Sequence, residues 1–153
     1  MKELVELLTK QGKTISTMES CTGGGIANAI TNTSGSSLVF NYGAVTYSNE
    51  YKIKMGVPSE IIDKYTVYSM EVAKAMAKAI SNCTNSNYGV GVTGKLREKD
   101  NSNPYGEDDI VYLSIYDRES DNYYNEKIKL TNDNRIDCKN EIIDIFIEKF
   151  LKI

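Results

Sequence analysis

The chain has 153 residues, a formal net charge of −3 and no histidine. That length suits one domain around one core, and the mild negative charge gives no global basic field for nucleic acid or an acidic membrane surface. The missing histidine excludes Ser-His-Asp and Cys-His catalysis, HExxH metalloproteases and most zinc or iron sites, so a base at neutral pH must be a carboxylate, a lysine or a tyrosine. Cys21, Cys83 and Cys138 are odd in number and widely spaced, which suits neither a disulfide framework nor a zinc site. The apolar runs are too short to span a bilayer and the N-terminus lacks a signal-peptide pattern, so the expectation is a cytoplasmic protein.

In chain order, Leu4, Val5, Leu7 and Leu8 share one face of a helix ending near Gln11-Gly12. "KTISTME" reads as a short β-branched strand, and "SCTGGGIANAITN" as a turn opening a helix from about Thr22 to Asn32. "LVFNYGAVTYS" is the longest β-like run. "VPSEIIDKY" begins a helix with Ser59 as N-cap. In "SMEVAKAMAKAISN", Ser69 caps a helix whose buried stripe is Val72, Ala73, Met76, Ala77 and Ile80. "NYGVGVTG" is a strand, and "KLREKDNSNPYGEDD" a polar loop. "IVYLSIYD" and "YYNEKIKL" pair as strands, and a last helix after "TNDNR" buries Ile143, Phe146, Ile147 and Phe150. Interleaved helices and strands with a late hairpin predict a three-layer α/β/α fold with a mixed, mostly parallel sheet, in one domain over 1–153.

Three stretches carry candidate chemistry. "ESCTGGG" follows a strand and opens a helix, where backbone N–H groups attract an anion; equally, it is a tight glycine turn under the sheet. It matches neither GxxxxGK[ST] nor GxGxxG. Cys21, inside it, is either an activated thiol or a small buried residue. Ser36, Ser37, Tyr47 and Lys52 can form a serine site in which a neutral lysine takes the proton and a tyrosine relays it. They can as well be turn, packing and solvated residues. The Tyr47–Lys52 spacing does not fit the Tyr-x-x-x-Lys of short-chain dehydrogenases. Arg135 opens the last helix, either clamping a phosphate or solvated.

"MESCTGGGIANAIT", "GSSLVF", "GAVTYSNEYK", Gly56-Val57 and "VYSMEVAKAMA", in that order, resemble the C-terminal domain of competence/damage-inducible protein A (CinA), the nicotinamide-nucleotide amidase family. The resemblance covers nearly the whole chain. It implies hydrolysis of the carboxamide of nicotinamide mononucleotide to nicotinic acid mononucleotide and ammonia, without metal or cofactor. It implies Ser37 as nucleophile, Lys52 as base and Tyr47 assisting proton transfer. It further implies Thr22, Gly23, Gly24, Thr93 and Arg135 as substrate contacts, Arg135 toward the phosphate. The partner is then a small pyridine nucleotide, not nucleic acid or membrane; a homo-oligomer stays open. The chain looks like a stand-alone version of a domain that some members join to a larger N-terminal one. It departs from the family after Thr93-Gly94, where "KLREKD" replaces the small residues of "IAGPxGG". The alternative function is therefore a weak or inactive paralogue that binds a phosphorylated nucleotide or a protein, with Lys95, Arg97 and Lys99 meeting a more anionic ligand.

Overall fold

The computed structural model describes residues 1–97, 101 and 103–153. Its elements are α1 Lys2–Gln11, β1 Ile15–Glu19, α2 Gly25–Thr31, a 3-10 turn Ser36–Leu38, β2 Phe40–Val45, α3 Asn49–Lys54, α4 Ser59–Tyr65, α5 Met70–Thr84, β3 Tyr88–Gly94, β4 Ile110–Asp117, β5 Asn122–Lys129 and α6 Arg135–Phe150. The sheet order is β2-β1-β3-β4-β5. β1 lies parallel to both β2 and β3, and β4 runs antiparallel to β3 and β5. Only β4 opposes the common direction, so the mixed, mostly parallel sheet is observed. One face packs α1, α2 and α6 through Leu4, Leu8, Ile26, Ile30, Ile142 and Phe146. The other packs α4 and α5 through Ile62, Val72, Met76 and Ile80, which makes three layers.

Local chemistry sets the ends of these elements. α1 stops at Gly12, whose φ of 63° a glycine adopts without strain. Ser69 caps α5 by accepting from the Val72 N–H, and Asn134 caps α6 by accepting from the Asp137 N–H. The expected α5 stripe is fully buried. In α6 the buried residues are Cys138, Ile142, Phe146 and Phe150, while Ile143 and Ile147 are only partly covered. Ser59 is the first residue of α4 rather than its cap, a position held by Pro58, whose fixed φ suits entry to a helix. The run from Leu38 to Ser48 is not one strand. Gly35, at φ 84°, starts the 3-10 turn, and Ser48 caps α3 by accepting from the Tyr51 N–H, leaving six residues of strand. Lys52 therefore stands on a helix.

The alternation in "YGVGV" explains how closely the layers approach. Val90 and Val92 enter the α1/α2/α6 core, while Gly89 and Gly91 face α5. A Cβ on Gly91 would fall 2.1 Å from the Ala73 carbonyl oxygen and one on Gly89 2.0 Å from that of Ala77, both helix backbone. Gly91→Ala should push α5 off the sheet and cost about 3 kcal/mol, read as a lower urea midpoint with an unchanged slope. A midpoint equal to that of the parent protein would contradict this packing.

Candidate active site

The C-terminal ends of β1, β2 and β3 meet at one edge of the sheet, where parallel α/β sheets commonly present ligand sites. Backbone bonds lock this edge: Thr46 N–H donates to Glu19 O at 2.8 Å and Ser20 N–H to Val92 O at 3.0 Å. The Glu19 carboxylate is fully buried. It accepts from Thr22 Oγ1 at 2.7 Å, Ile26 N at 3.0 Å and Ala27 N at 2.8 Å. The protein's own carboxylate thus occupies the anion position at the start of α2, and the Thr22 hydroxyl is committed to it. Gly23 and Gly24 take left-handed φ values of 63° and 90°, which fold the turn tightly after Ser20.

Lys52 is the largest charged side chain in the interior, at 1% exposure. Its Nζ donates to the Thr46 carbonyl at 2.7 Å and contacts Ser20 Oγ at 3.1 Å. A buried amine costs much unless bonded, and burial is the setting in which an amine is most readily held neutral. Thr46 Oγ1, beside this pair in sequence, is buried with no partner among the described residues. Cys21 is buried next to Ser20. Desolvation pushes its thiol up to about 12, only partly opposed by the Lys52 charge, so the sulfur stays protonated at neutral pH.

The expected trio does not assemble within one chain. Ser37 lies in the exposed 3-10 turn before Phe40, whereas Lys52 meets the backbone just past Val45. Phe40 pairs with Ile15 and Val45 with Glu19, so the two ends of β2 stand roughly 13 Å apart along β1. Ser20 occupies the place beside Lys52 instead. Sequence reading passed over it because Cys21 and the glycines drew attention to the turn. Its signal was its position, the first residue after a buried strand. Tyr47 is 64% exposed at the same edge, and its hydroxyl accepts from Arg135 Nη2 at 3.3 Å. Arg135 also donates to the Leu96 carbonyl at 2.8 Å. Thr93 is buried, its hydroxyl donating to the Val67 carbonyl at 3.0 Å. Lys139, one turn after Arg135, places Nζ 3.2 Å from where a Cβ on Gly23 would lie, without hydrogen bond or ion pair among the described residues. Arg135 and Lys139 bring two cations to the edge that holds Ser20.

The segment after Gly94 is closed by its own acids. Lys95 bonds the Gly106 carbonyl at 3.3 Å and pairs with Asp108 at 3.6 Å, and Leu96 is buried in the core. Arg97 adopts φ 59°, a glycine-like conformation. The Asp109 carboxylate holds it there, accepting from Arg97 N at 3.1 Å and Nη1 at 3.0 Å. Asp108 and Asp109 already engage Lys95 and Arg97, the cations expected to meet a more anionic ligand. Lys99 lies outside the described residues.

The model of the CinA C-terminal domain family matches residues 1–152, and the chain belongs to that family. It is 43% identical over 120 residues to a Clostridium kluyveri protein named for competence-damage induction, covering 77% of this chain and 29% of that protein. A Clostridium botulinum (Type A) protein of the same name is 46% identical over 120 residues, covering 76% and 29%. The chain thus spans under a third of the length of these curated relatives. Among solved structures, the competence/damage inducible protein CihA of Agrobacterium tumefaciens superposes with TM-score 0.81 at 28% identity, over 97% of this chain and 94% of that one. A competence or damage-inducible protein of Enterobacter asburiae gives 0.88 at 21% identity, over 99% and 96%, which shows the shared fold.

The cysteines give a direct check on this geometry. Cys83 is exposed, and Cys21 and Cys138 are buried. One thiol per native chain should react with iodoacetamide near pH 8, and three after denaturation. Because the folded Cys21 thiol ionises near 12 and an unfolded one near 9, stability conferred by the neutral thiol should be lost as pH climbs from about 9 toward 12. Rapid labelling of Cys21 in the native protein at pH 8 would contradict the closed site.

Proposed function

We propose that the chain is a histidine-free amidohydrolase that deamidates nicotinamide mononucleotide through a Ser20–Lys52 pair. The observation that carries the reading is the 3.1 Å contact between the buried Lys52 Nζ and Ser20 Oγ. With the amine neutral, the same contact runs in reverse: Ser20 Oγ gives its proton to Lys52 as it attacks the carboxamide carbon. The tetrahedral intermediate collapses, the C–N bond breaks, and the Lys52 ammonium returns the proton to the departing ammonia. Water then attacks the acyl ester as Lys52 takes its proton, and Lys52 passes that proton to Ser20 Oγ as the ester C–O bond breaks, which frees the carboxylate product and restores the pair. The backbone N–H groups of Cys21 and Thr22 directly follow the nucleophile, which suits them to the developing oxyanion.

Arg135 and Lys139 suit the phosphate of the nucleotide, and Tyr47, tethered to Arg135, orients the substrate between phosphate and carboxamide. Gly23 and Gly24 let the substrate approach the turn closely. Thr22 and Thr93 contribute by holding Glu19 and Val67, since their hydroxyls are already committed.

The second reading, a paralogue that binds a phosphorylated nucleotide without turnover, draws on one observation: ion pairs brace the segment after Gly94. Ammonia release from nicotinamide mononucleotide separates the two. The amidase reading expects turnover that rises with pH, because the amine acts only when neutral. Ser20→Ala and Lys52→Ala should each lower the rate by about 10²–10⁴-fold. Nucleotide bound by the wild type with no ammonia released would favour the second reading.

Removing either cation should discriminate by substrate. Arg135→Ala and Lys139→Ala should each weaken nucleotide binding by roughly 1.5–3 kcal/mol, about 10- to 100-fold, and hardly affect free nicotinamide. Equal losses for both ligands would remove the phosphate role.

A further inference from the structure

Two arginines cross between the segment after β3 and the turn into α6, one in each direction. Arg97 donates Nε to the Asn132 carbonyl, and Arg135 donates Nη1 to the Leu96 carbonyl at 2.8 Å. Each guanidinium thus ends on the backbone of the stretch that carries the other: Leu96 precedes Arg97, and Asn132 lies three residues before Arg135. A carboxylate anchors each stretch. Asp109 accepts from Arg97 N at 3.1 Å and from its Nη1 at 3.0 Å, so one acid fixes both the backbone and the side chain of the same residue. Glu141, farther along α6, accepts from the Thr131 and Asn132 N–H groups, the Thr131 hydroxyl and the Asn132 amide, at 2.9 to 3.3 Å. The Arg97 and Asp109 side chains are only 27% and 19% exposed, so solvent and salt screen this pair less than a surface one. Its hydrogen bonds are of the stronger, charge-assisted kind.

We propose that Arg97, held by Asp109, is a positioning residue for Arg135: it fixes the Leu96 carbonyl against the entry to α6, so that the Arg135 guanidinium meets the phosphate of the nucleotide already oriented. Arg97 acts through its neighbour and touches no ligand itself. Arg135 is where this brace meets the site, because its Nη2 lies 3.3 Å from the Tyr47 hydroxyl at the edge that holds Ser20. A long side chain ordered before binding spares the ligand the cost of ordering it, and a guanidinium presents its paired donors to an anion only in a fixed orientation. The inference rests on the phosphate role given to Arg135 above. It assigns part of the preference for nucleotide over free base to Arg97 and Asp109, outside the site itself.

The test measures, by titration calorimetry on the full chain, binding of the reaction product nicotinic acid mononucleotide and of nicotinic acid, neither of which is turned over. Arg97→Gly is the informative variant: glycine takes the φ of 59° without strain, so the backbone is kept while the guanidinium is lost. It should bind the nucleotide about tenfold more weakly and nicotinic acid as before. Added to Arg135→Ala, Arg97→Gly should cost nothing more, since nothing is left to position. No loss, an equal loss for both ligands, or losses that add in the double variant overturns the proposal. If Arg97→Gly folds poorly, Asp109→Asn carries the same test: asparagine also tolerates the left-handed φ at that position but presents one acceptor oxygen instead of two. A wild type that binds neither ligand sinks the phosphate reading alone. The positioning is then read from the nitrogen NMR signals of the guanidinium groups, which come from only three arginines, Arg97, Arg118 and Arg135. Rotation of the Arg135 guanidinium should be slow in the wild type and fast in Arg97→Gly; the same rate in both overturns the proposal.

Discussion

A lysine side chain at 1% exposure is the constraint around which this edge of the molecule is arranged. An ammonium or amine in that position needs partners, and it finds them in a strand-end carbonyl and a serine hydroxyl. To bring Lys52 there, the chain must leave β2 at Thr46, cap a new helix at Ser48 and turn that helix back over the sheet edge. To hold Ser20 opposite, β1 must end at a turn that the buried Glu19 carboxylate ties to the first amides of α2. Two buried ionisable groups, Glu19 next to Ser20 in sequence and Lys52 brought to it by the fold, thus shape the site from both sides. Such groups are costly as fold stabilisers, and their presence here fits a site that does chemistry.

The layers behind the site supply rigidity. Helix α5 touches β3 at backbone distance through Gly89 and Gly91, and the apolar stripe of α6 covers the other face. Arg135 and Lys139 project from the start of α6, so the packing that buries Phe146 and Phe150 also fixes the two cations relative to Ser20. The ion pairs of Lys95 with Asp108 and Arg97 with Asp109 brace the neighbouring segment. They offer a physical account of how a chain without the family's small residues there keeps a glycine-like backbone at Arg97.

Much of the fold was legible because periodicity and caps are local. Ser69 with the Val72–Ile80 stripe, the hairpin of β4 and β5, and the start of α6 at Arg135 follow from residues within a few positions of each other. The short helix α3 was not legible, because "SNEYKIK" follows an apolar run whose β-propensity extends past its real end. The site was half legible. Lys52 and Tyr47 stand at the edge where a site forms, but Ser37 and Lys52 are separated by the strand between them, a distance that sequence order hides. Ser20 was missed because its partner is 32 residues away and only the parallel pairing of β1 with β2 brings them together.

The account stands or falls on which oxygen bonds to the substrate. The direct measurement is mass spectrometry of the wild-type protein quenched during turnover of nicotinamide mononucleotide, with fragmentation that resolves Ser20, Cys21 and Ser37. A nicotinoyl-nucleotide adduct on Ser20, absent from Ser20→Ala, is the expected result. An adduct on Ser37 or Cys21, with Ser20 unmodified, would contradict it.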